Sequence, residues 1–194
     1  MLNVDDSHCR QPSAAWYWFE STGIPTGGDY DDKGESDTCL PYSLAPCAHY
    51  TTNTTYRKCP EKDYPTPRCT ERCSNNKYAK TFREDKHYAS RTYSFRSVNA
   101  IMQDLVEYGS VTAAFTVYED FVSYKSGVYQ YKRGKALGGH AVEVVGYGEE
   151  SGTKYWLVKN SWNDSWGDKG FFKIVRGKDE CGIEKEMCSG IAKS

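Results

Sequence analysis

The sequence lacks several features that would place it in common functional classes. No apolar run approaches the roughly 18 residues that a membrane-spanning helix needs. The formal net charge is −1, which gives no excess of basic residues for binding nucleic acid or an anionic membrane. There are no internal repeats and no low-complexity tracts. We therefore expect no nucleic-acid partner and no membrane association.

The N-terminus also lacks an export signal. Residues 1–6 contain neither the basic segment nor the apolar segment of a signal peptide. The rest of the chain, however, has the composition of a secreted protein, because it contains 8 cysteines. From this mismatch we expect that an upstream part of the protein is missing from this sequence.

The cysteines favour disulfides over a metal site. The pair Cys69 and Cys73 has no matching histidine or second closely spaced pair, so a zinc site is disfavoured. Asn53 begins a glycosylation sequon in the same region, which also indicates an oxidising compartment. Six cysteines precede residue 74: Cys9, Cys39, Cys47, Cys59, Cys69 and Cys73.

The order of predicted elements is that of an α+β protein. Pro12 and Gly23 delimit a short aromatic helix over 12–21, and residues 23–77 show little periodicity. A second helix is predicted over 98–108, with one apolar face that includes Val106. Antiparallel strands separated by glycine-bearing turns follow, at 111–117, 127–131, 140–147, 155–160 and 171–176.

Two polar residues in these strands could carry acid–base chemistry. His140 begins an apolar run, and Asn160 ends another one twenty residues later. A carboxamide oxygen can accept the proton of one imidazole nitrogen and so fix the tautomer of the ring. Trp162 and Trp166 could shield that bond, although Trp166 is better explained as a core residue. No nucleophile accompanies the pair.

The surrounding motifs resemble those of papain-like cysteine peptidases, and in particular of the cathepsin B-like group. The paired histidine and asparagine motifs are highly specific, and the similarity covers roughly residues 9–194. The matching stretches are PYSLAPCAHY (41–50), DKHY (85–88), YEDFVSYKSGVY (118–129), GGHAVEVVGYG (138–148), YWLVKNSWNDSWGDKGFFKIVRG (155–177) and CGIEKE (181–186).

The resemblance implies a role for each site residue. His140 would be the catalytic base and acid, and Asn160 would orient it. Trp162 would pack over their hydrogen bond, and Gly138 and Gly139 would lie beside the substrate backbone. No metal or organic cofactor is implied.

Two further positions would determine specificity. Glu186 would lie at the floor of the pocket for the second residue before the cleaved bond, where a carboxylate favours a basic side chain; the alternative is a solvated surface charge. The long cysteine loop resembles the occluding loop that closes one end of the cleft. There His49 matches the first of the family's two carboxylate-binding histidines, or is an exposed loop residue, and Tyr50 replaces the second.

The family's pairing would join Cys39 to Cys73 and Cys47 to Cys59. It would leave Cys9 and Cys69 without their usual partners. Cys181 and Cys188 could bond to each other or remain free.

The departures from the family concern the nucleophile. The family's Gln-x5-Cys-Gly-Ser-Cys-Trp-like segment does not occur in this chain. Cys9 lies within the expected distance of His140, but Arg10, Gln11 and Pro12 follow it instead of glycine, serine and tryptophan. The sequence therefore disfavours Cys9 as the nucleophile.

We accordingly expect an incomplete papain-like α+β fold over 9–194, with a helix remnant and occluding-loop region at 12–77 and a β-rich right lobe at 78–194. The expected function is a cathepsin B-type cysteine endopeptidase that is lysosomal or secreted at full length. Its partners would be peptide or protein substrates and, as candidates, cystatin-like inhibitors. The alternatives are an inactive papain-fold binding or decoy protein, or the product of a non-functional gene fragment.

Overall fold

The computed structural model describes residues 11–30, 37–51, 54–60, 65 and 68–193. Two helices precede or interrupt the strands, α1 (Pro12–Ser21) and α2 (Val98–Glu107). The strands are β1 (Gly27–Gly28), β2 (Leu40–Pro41), β3 (Ala89–Ser94), β4 (Val111–Tyr118), β5 (Val128–Tyr129), β6 (Ala136–Glu150), β7 (Thr153–Lys159), β8 (Phe171–Val175) and β9 (Cys188–Ala192).

Helix α1 has the predicted bounds. Pro12 occupies the first turn, where its missing N–H costs no helical hydrogen bond. The helix ends because Gly23 adopts a φ of +76°, and the N–H groups of Thr22 and Gly23 both donate to the Trp18 carbonyl. The prediction from proline and glycine is confirmed.

Helix α2 is also confirmed, to within one residue at its C-terminus. The Ser97 hydroxyl caps its start by accepting a hydrogen bond from the Ala100 N–H. Ile101 is buried against the sheet, whereas Val106 is 76% exposed. The inclusion of Val106 in the apolar face was therefore wrong, because five residues of helix turn it about 140° from Ile101.

Seven strands form one sheet in the order β3-β9-β4-β6-β7-β8-β5. Strand β4 buries every second side chain, beginning at Val111, and pairs antiparallel with β6. All five predicted strand regions contain strands. The expectation of purely antiparallel pairing was wrong, however, since β5 pairs with β8 in parallel.

Two details of the sheet differ from the sequence prediction. Strands β3 and β9 were not predicted, yet they pair with each other at one edge. The glycine-bearing turn between β6 and β7 is also short, because Glu149 and Glu150 still pair with Lys154 and Thr153. Ser151 and Gly152 form the two-residue turn with φ values of +49° and +77°, the positive angles that a tight hairpin requires.

The core lies between the sheet, α2 and the loops that follow β4 and β7. Trp166 is fully buried there and packs 5.2 Å from Phe121 between ring centroids, which confirms its expected core placement. The largest members of this core are Trp156, Trp166, Phe121, Phe172, Ile101 and Ile174.

Two disulfides cross-link the cysteine-rich segment, and the Asp85 carboxylate attaches it to the residues that precede β3. The structure contains both expected bonds, Cys39–Cys73 and Cys47–Cys59, and leaves Cys69, Cys181 and Cys188 free. The buried Asp85 carboxylate accepts hydrogen bonds at 2.7 Å from the N–H and the hydroxyl of Thr26. That hydroxyl in turn accepts from the Cys39 N–H at 3.0 Å. Cys9 and Asn53 lie outside the described residues.

Candidate active site

Neighbouring strands bring His140 and Asn160 together. His140 lies in β6 opposite Phe115 of β4, and Asn160 directly follows β7. The His140 Nε2 and Asn160 Oδ1 atoms are 2.8 Å apart. The pair predicted from the sequence is therefore a direct hydrogen bond in the folded chain.

A second hydrogen bond fixes the direction of the first. Asn160 Oδ1 also accepts from the backbone N–H of Ser161 at 2.8 Å, so this atom is the amide oxygen. His140 must then donate through Nε2–H. In the neutral ring this leaves Nδ1 unprotonated, with a lone pair able to accept a proton.

Trp162 covers the pair. Its ring stacks on the His140 ring with centroids 5.2 Å apart and an interplanar angle of 26°. Trp162 is 8% exposed and is held by edge contacts with Phe121 and Trp166, at 5.6 and 5.0 Å. The tryptophan thus excludes water from one face of the imidazole.

The cysteine loop contributes two more aromatic side chains here. His49 stacks on Trp162 with centroids 6.3 Å apart, and Tyr50 lies 4.9 Å from the same ring. His87 instead pairs through its backbone with Ile24, and its ring lies 3.9 Å from Asp85. Of these two described histidines, His49 is the one that contacts the candidate site.

Both imidazoles of the site favour their neutral form. Burial lowers the pKa of His140 below its ordinary value of 6.5, and the hydrogen bond with Asn160 opposes part of that decrease. Burial also lowers the pKa of His49, and the charge of a protonated His140 lowers it further. At neutral pH the site therefore presents a basic nitrogen instead of a fixed positive charge.

A cavity of about 840 Å³ opens beside His140. Pro12 and Trp16 of α1 form one wall, and Ala114 of β4 and Ala141 of β6 form another. Glu186 lies at this cavity while the neighbouring Lys185 forms an ion pair with Asp179, at 3.2 Å. Lys185 lines the same cavity, and Glu186 is exposed.

The two predicted glycines differ in their position. Gly139 lines the cavity next to His140, whereas Gly138 lies in exposed backbone of β6 outside the lining. A Cβ on either residue would meet no described atom within 4 Å. Space for a ligand backbone therefore exists along both residues.

No described thiol is suited to be the nucleophile. Cys181 lines the cavity with His140, a position that sequence reasoning did not predict. Burial and the neighbouring Glu180 raise the pKa of the Cys181 thiol to about 12, and burial raises that of Cys188 to about 11. Cys69 is free but does not line the cavity with His140, and the remaining described cysteines form disulfides.

Comparison with known sequences places this geometry in a family. The profile described as papain family cysteine protease matches residues 5–191. The chain belongs to the papain family of cysteine proteases. It is 45% identical over 183 residues to cathepsin B-like cysteine proteinase 4 of Caenorhabditis elegans, covering 94% of this chain and 54% of that protein. It is 42% identical over 184 residues to a cathepsin B-like cysteine proteinase of Schistosoma japonicum, covering 94% and 52%.

Solved structures of papain-family proteins support the fold. ProCathepsin B S9 from Trypanosoma congolense matches with a TM-score of 0.71 and 31% identity, over 93% of this chain and 53% of that one. Digestive procathepsin L 3 of Tenebrio molitor larval midgut matches with a TM-score of 0.50 over 61% and 41%, and at 24% identity it supports the fold alone. The fold is therefore α+β and papain-like, as expected from the resemblance.

The chain spans about half the length of the curated relatives that it matches. Within the described ranges, no helix has the length and hydrophobicity to cross a bilayer.

Proposed function

We propose that this chain supplies the acid–base half of a cathepsin B-type cysteine peptidase. The observation that carries the proposal is the His140–Asn160 hydrogen bond, which leaves Nδ1 of a neutral imidazole beside a cavity. A thiol peptidase needs such a base to form its thiolate. The reactive thiol itself would come from outside the described residues.

The reaction would proceed in two stages. His140 Nδ1 accepts the proton of the thiol, and the thiolate attacks the peptide carbonyl carbon. As the C–N bond breaks, the imidazolium returns that proton to the departing amine. Water, deprotonated by the same nitrogen, then hydrolyses the thioester and releases the acid and the thiol. Asn160 keeps the ring oriented throughout by accepting from Nε2–H.

Glu186 supports a preference for basic side chains. Glu186 is an exposed residue that lines the cavity shared with His140, and apolar residues of the same lining could hold the stem of a lysine or arginine. We assign this cavity to the second residue before the cleaved bond, with Gly138 and Gly139 along the substrate backbone.

The domain division and the location belong to the same proposal. We assign the helix and cysteine loop at 12–77 and the β-rich lobe at 78–194 to a single peptidase domain over 9–194. Two disulfides indicate an oxidising compartment, which supports a lysosomal or secreted enzyme.

The experiment is to join the chain to the N-terminal half of the Caenorhabditis elegans relative and assay a fluorogenic dipeptide amide. We expect hydrolysis by the joined protein, a loss of at least about 10²-fold in His140→Ala, and little change in Cys181→Ser. The 194-residue chain alone should show no turnover.

Two results would contradict the proposal. One is full activity of the joined His140→Ala protein. The other is turnover by the chain alone that disappears in Cys9→Ala, which would place the nucleophile within this sequence.

A further inference from the structure

Three potential metal ligands meet in the cysteine loop. The ligand atoms of Cys47, His49 and Cys59 all lie within 4.8 Å of one another. The Cys47 Sγ and His49 Nε2 atoms are 3.5 Å apart. In the oxidised chain the two sulfurs form a disulfide and cannot both act as thiolates.

Contacts that do not involve sulfur hold the two segments together. Ala48 and Lys58 form a parallel backbone bridge, and the Ala48 N–H donates to the Arg57 carbonyl at 2.8 Å. The Cys47 carbonyl accepts from Asn163 Nδ2 at 3.1 Å, which attaches the segment to the loop after β7. The three ligand atoms should therefore stay close after the disulfide is reduced.

The chemistry of the three groups suits a thiophilic cation. Two thiolates and one neutral imidazole are the ligands of many tetrahedral zinc sites. With the usual zinc–sulfur and zinc–nitrogen bond lengths, a tetrahedral site places S and N about 3.6 Å apart, close to the distance observed here.

We propose that reduction of the Cys47–Cys59 disulfide converts this part of the loop into a binding site for a thiophilic divalent cation such as Zn²⁺. Two molecules of a small thiol reduce the disulfide and are themselves joined as a disulfide, which leaves two protein thiols. The cation binds both sulfurs and the His49 imidazole, and two protons are released. A fourth coordination position remains open for water.

The site lies beside the candidate catalytic pair, because His49 stacks on Trp162, which covers His140. In the oxidised loop the His49 imidazole binds no metal, whereas in the reduced, metal-bound loop it is a metal ligand. The metal site does not depend on the proposed peptidase function, since it involves only the loop and its ligands.

The test measures alkylation of each cysteine in the full 194-residue chain by peptide mapping. The chain is reduced with a phosphine and treated with iodoacetamide in the presence or absence of Zn²⁺. We expect Zn²⁺ to slow the alkylation of Cys47 and Cys59 but not that of the exposed Cys69. Cys39 and Cys73, reduced in the same sample, are matched internal controls because no described histidine shares their cluster.

Two controls make the test decisive. In His49→Ala, protection of Cys47 and Cys59 should require at least about tenfold more Zn²⁺, since even the loss of a ligand's hydrogen-bond partner costs 10–100-fold in affinity. In concentrated urea the protection should disappear. Absence of protection, equal protection in His49→Ala, or protection that persists in urea would each overturn the proposal.

Discussion

At the scale of single residues, Asn160 determines what His140 can do. Its Oδ1 accepts from both the Ser161 N–H and His140 Nε2–H, which leaves Nδ1 as the basic nitrogen. Its Nδ2 is buried and forms no hydrogen bond with the described residues. The hydrogen bonds to Oδ1 alone therefore hold the amide group in its orientation. An aspartate here could accept in the same way, but its charge would favour the imidazolium instead of the neutral ring.

Tyr50 stands where the resemblance to the family's loop leads us to expect a second histidine. It lies next to His49, and burial lowers the pKa of that histidine, so neither side chain offers a full positive charge near neutral pH. Tyr50 is 55% exposed and has a φ of +49°, a backbone conformation that histidine adopts more readily than most residues. The position could therefore accept histidine without rearrangement.

We predict that Tyr50→His in the joined enzyme increases the preference for a peptide with a free C-terminus over its amidated form. An exposed histidine is cationic at pH 5, and a charge-assisted hydrogen bond to a carboxylate exceeds a neutral one by about 1.4 kcal/mol, or about tenfold. The measurement is the ratio of kcat/KM for the two peptides at pH 5.

The control for this prediction is Tyr50→Phe, which removes the hydroxyl but retains the ring against Trp162. It should lower the same ratio slightly or leave it unchanged. An identical ratio in the wild type and Tyr50→His would show that this position does not recognise the C-terminus.

At the scale of elements, α2 depends on its cap. The Ser97 hydroxyl accepts from the Ala100 N–H at 3.2 Å, and the helix has no acidic residue in its first turn to assist. We predict that Ser97→Ala lowers the free energy of unfolding by about 1 kcal/mol, or about 2–4 °C in Tm. Thermal unfolding followed by circular dichroism measures this change.

The matched control lies in the same helix. Asn99 is exposed and makes no capping bond, so Asn99→Ala should keep or raise stability because alanine has the higher helix propensity. Equal losses in both variants would mean that the cap contributes nothing.

The elements that the sequence predicted are those with local signals. Pro12 and Gly23 delimit α1, Ser97 caps α2, and alternating apolar residues mark β4. Strands β3 and β9 carry no such alternation, and their place is set by tertiary contacts. A Cβ at Gly190 of β9 would lie 2.7 Å from Trp16. The close packing of α1 against β9 therefore positions the edge of the sheet that β3 and β9 form.

Part of the candidate site could likewise be predicted from the sequence, and part of it could not. His140, Asn160 and Trp162 lie in motifs that can be read from the sequence, and the structure brings them together. The position of Cys181 at the cavity could not be predicted from a sequence motif. It depends on the left-handed backbone at Asp179 and Cys181, which have φ values of +50° and +53°. The cluster of Cys47, His49 and Cys59 was likewise not predicted, because it depends on how the loop folds.

At the scale of the whole molecule, the two site histidines couple stability to pH. The pKa values of His140 and His49 are both lowered in the folded chain, so the unfolded chain binds more protons as the pH falls below about 6.5. Their stabilising contribution is complete above that pH and is lost as the pH falls through the folded pKa values.

We predict that the free energy of unfolding in urea decreases from pH 7 to pH 5, and that His49→Gln makes the decrease shallower. Asp85, which is buried, and Asp120, which is half-buried, have lowered pKa values too, but their contribution is lost only below about pH 4, in a separate range. A decrease of equal slope in the variant would show that His49 is not part of the coupling.

The folded chain itself fixes His140 as a neutral base, with its proton on Nε2 and its lone pair on Nδ1. Nitrogen-15 NMR of the imidazoles in the 194-residue chain tests this most directly, with Asn160→Ala as the comparison. We predict a neutral ring at pH 7 that is protonated at Nε2, with a pKa below 6.5 that falls further in Asn160→Ala because the opposing hydrogen bond is lost. A ring protonated at Nδ1, or a pKa above 6.5, would contradict the account.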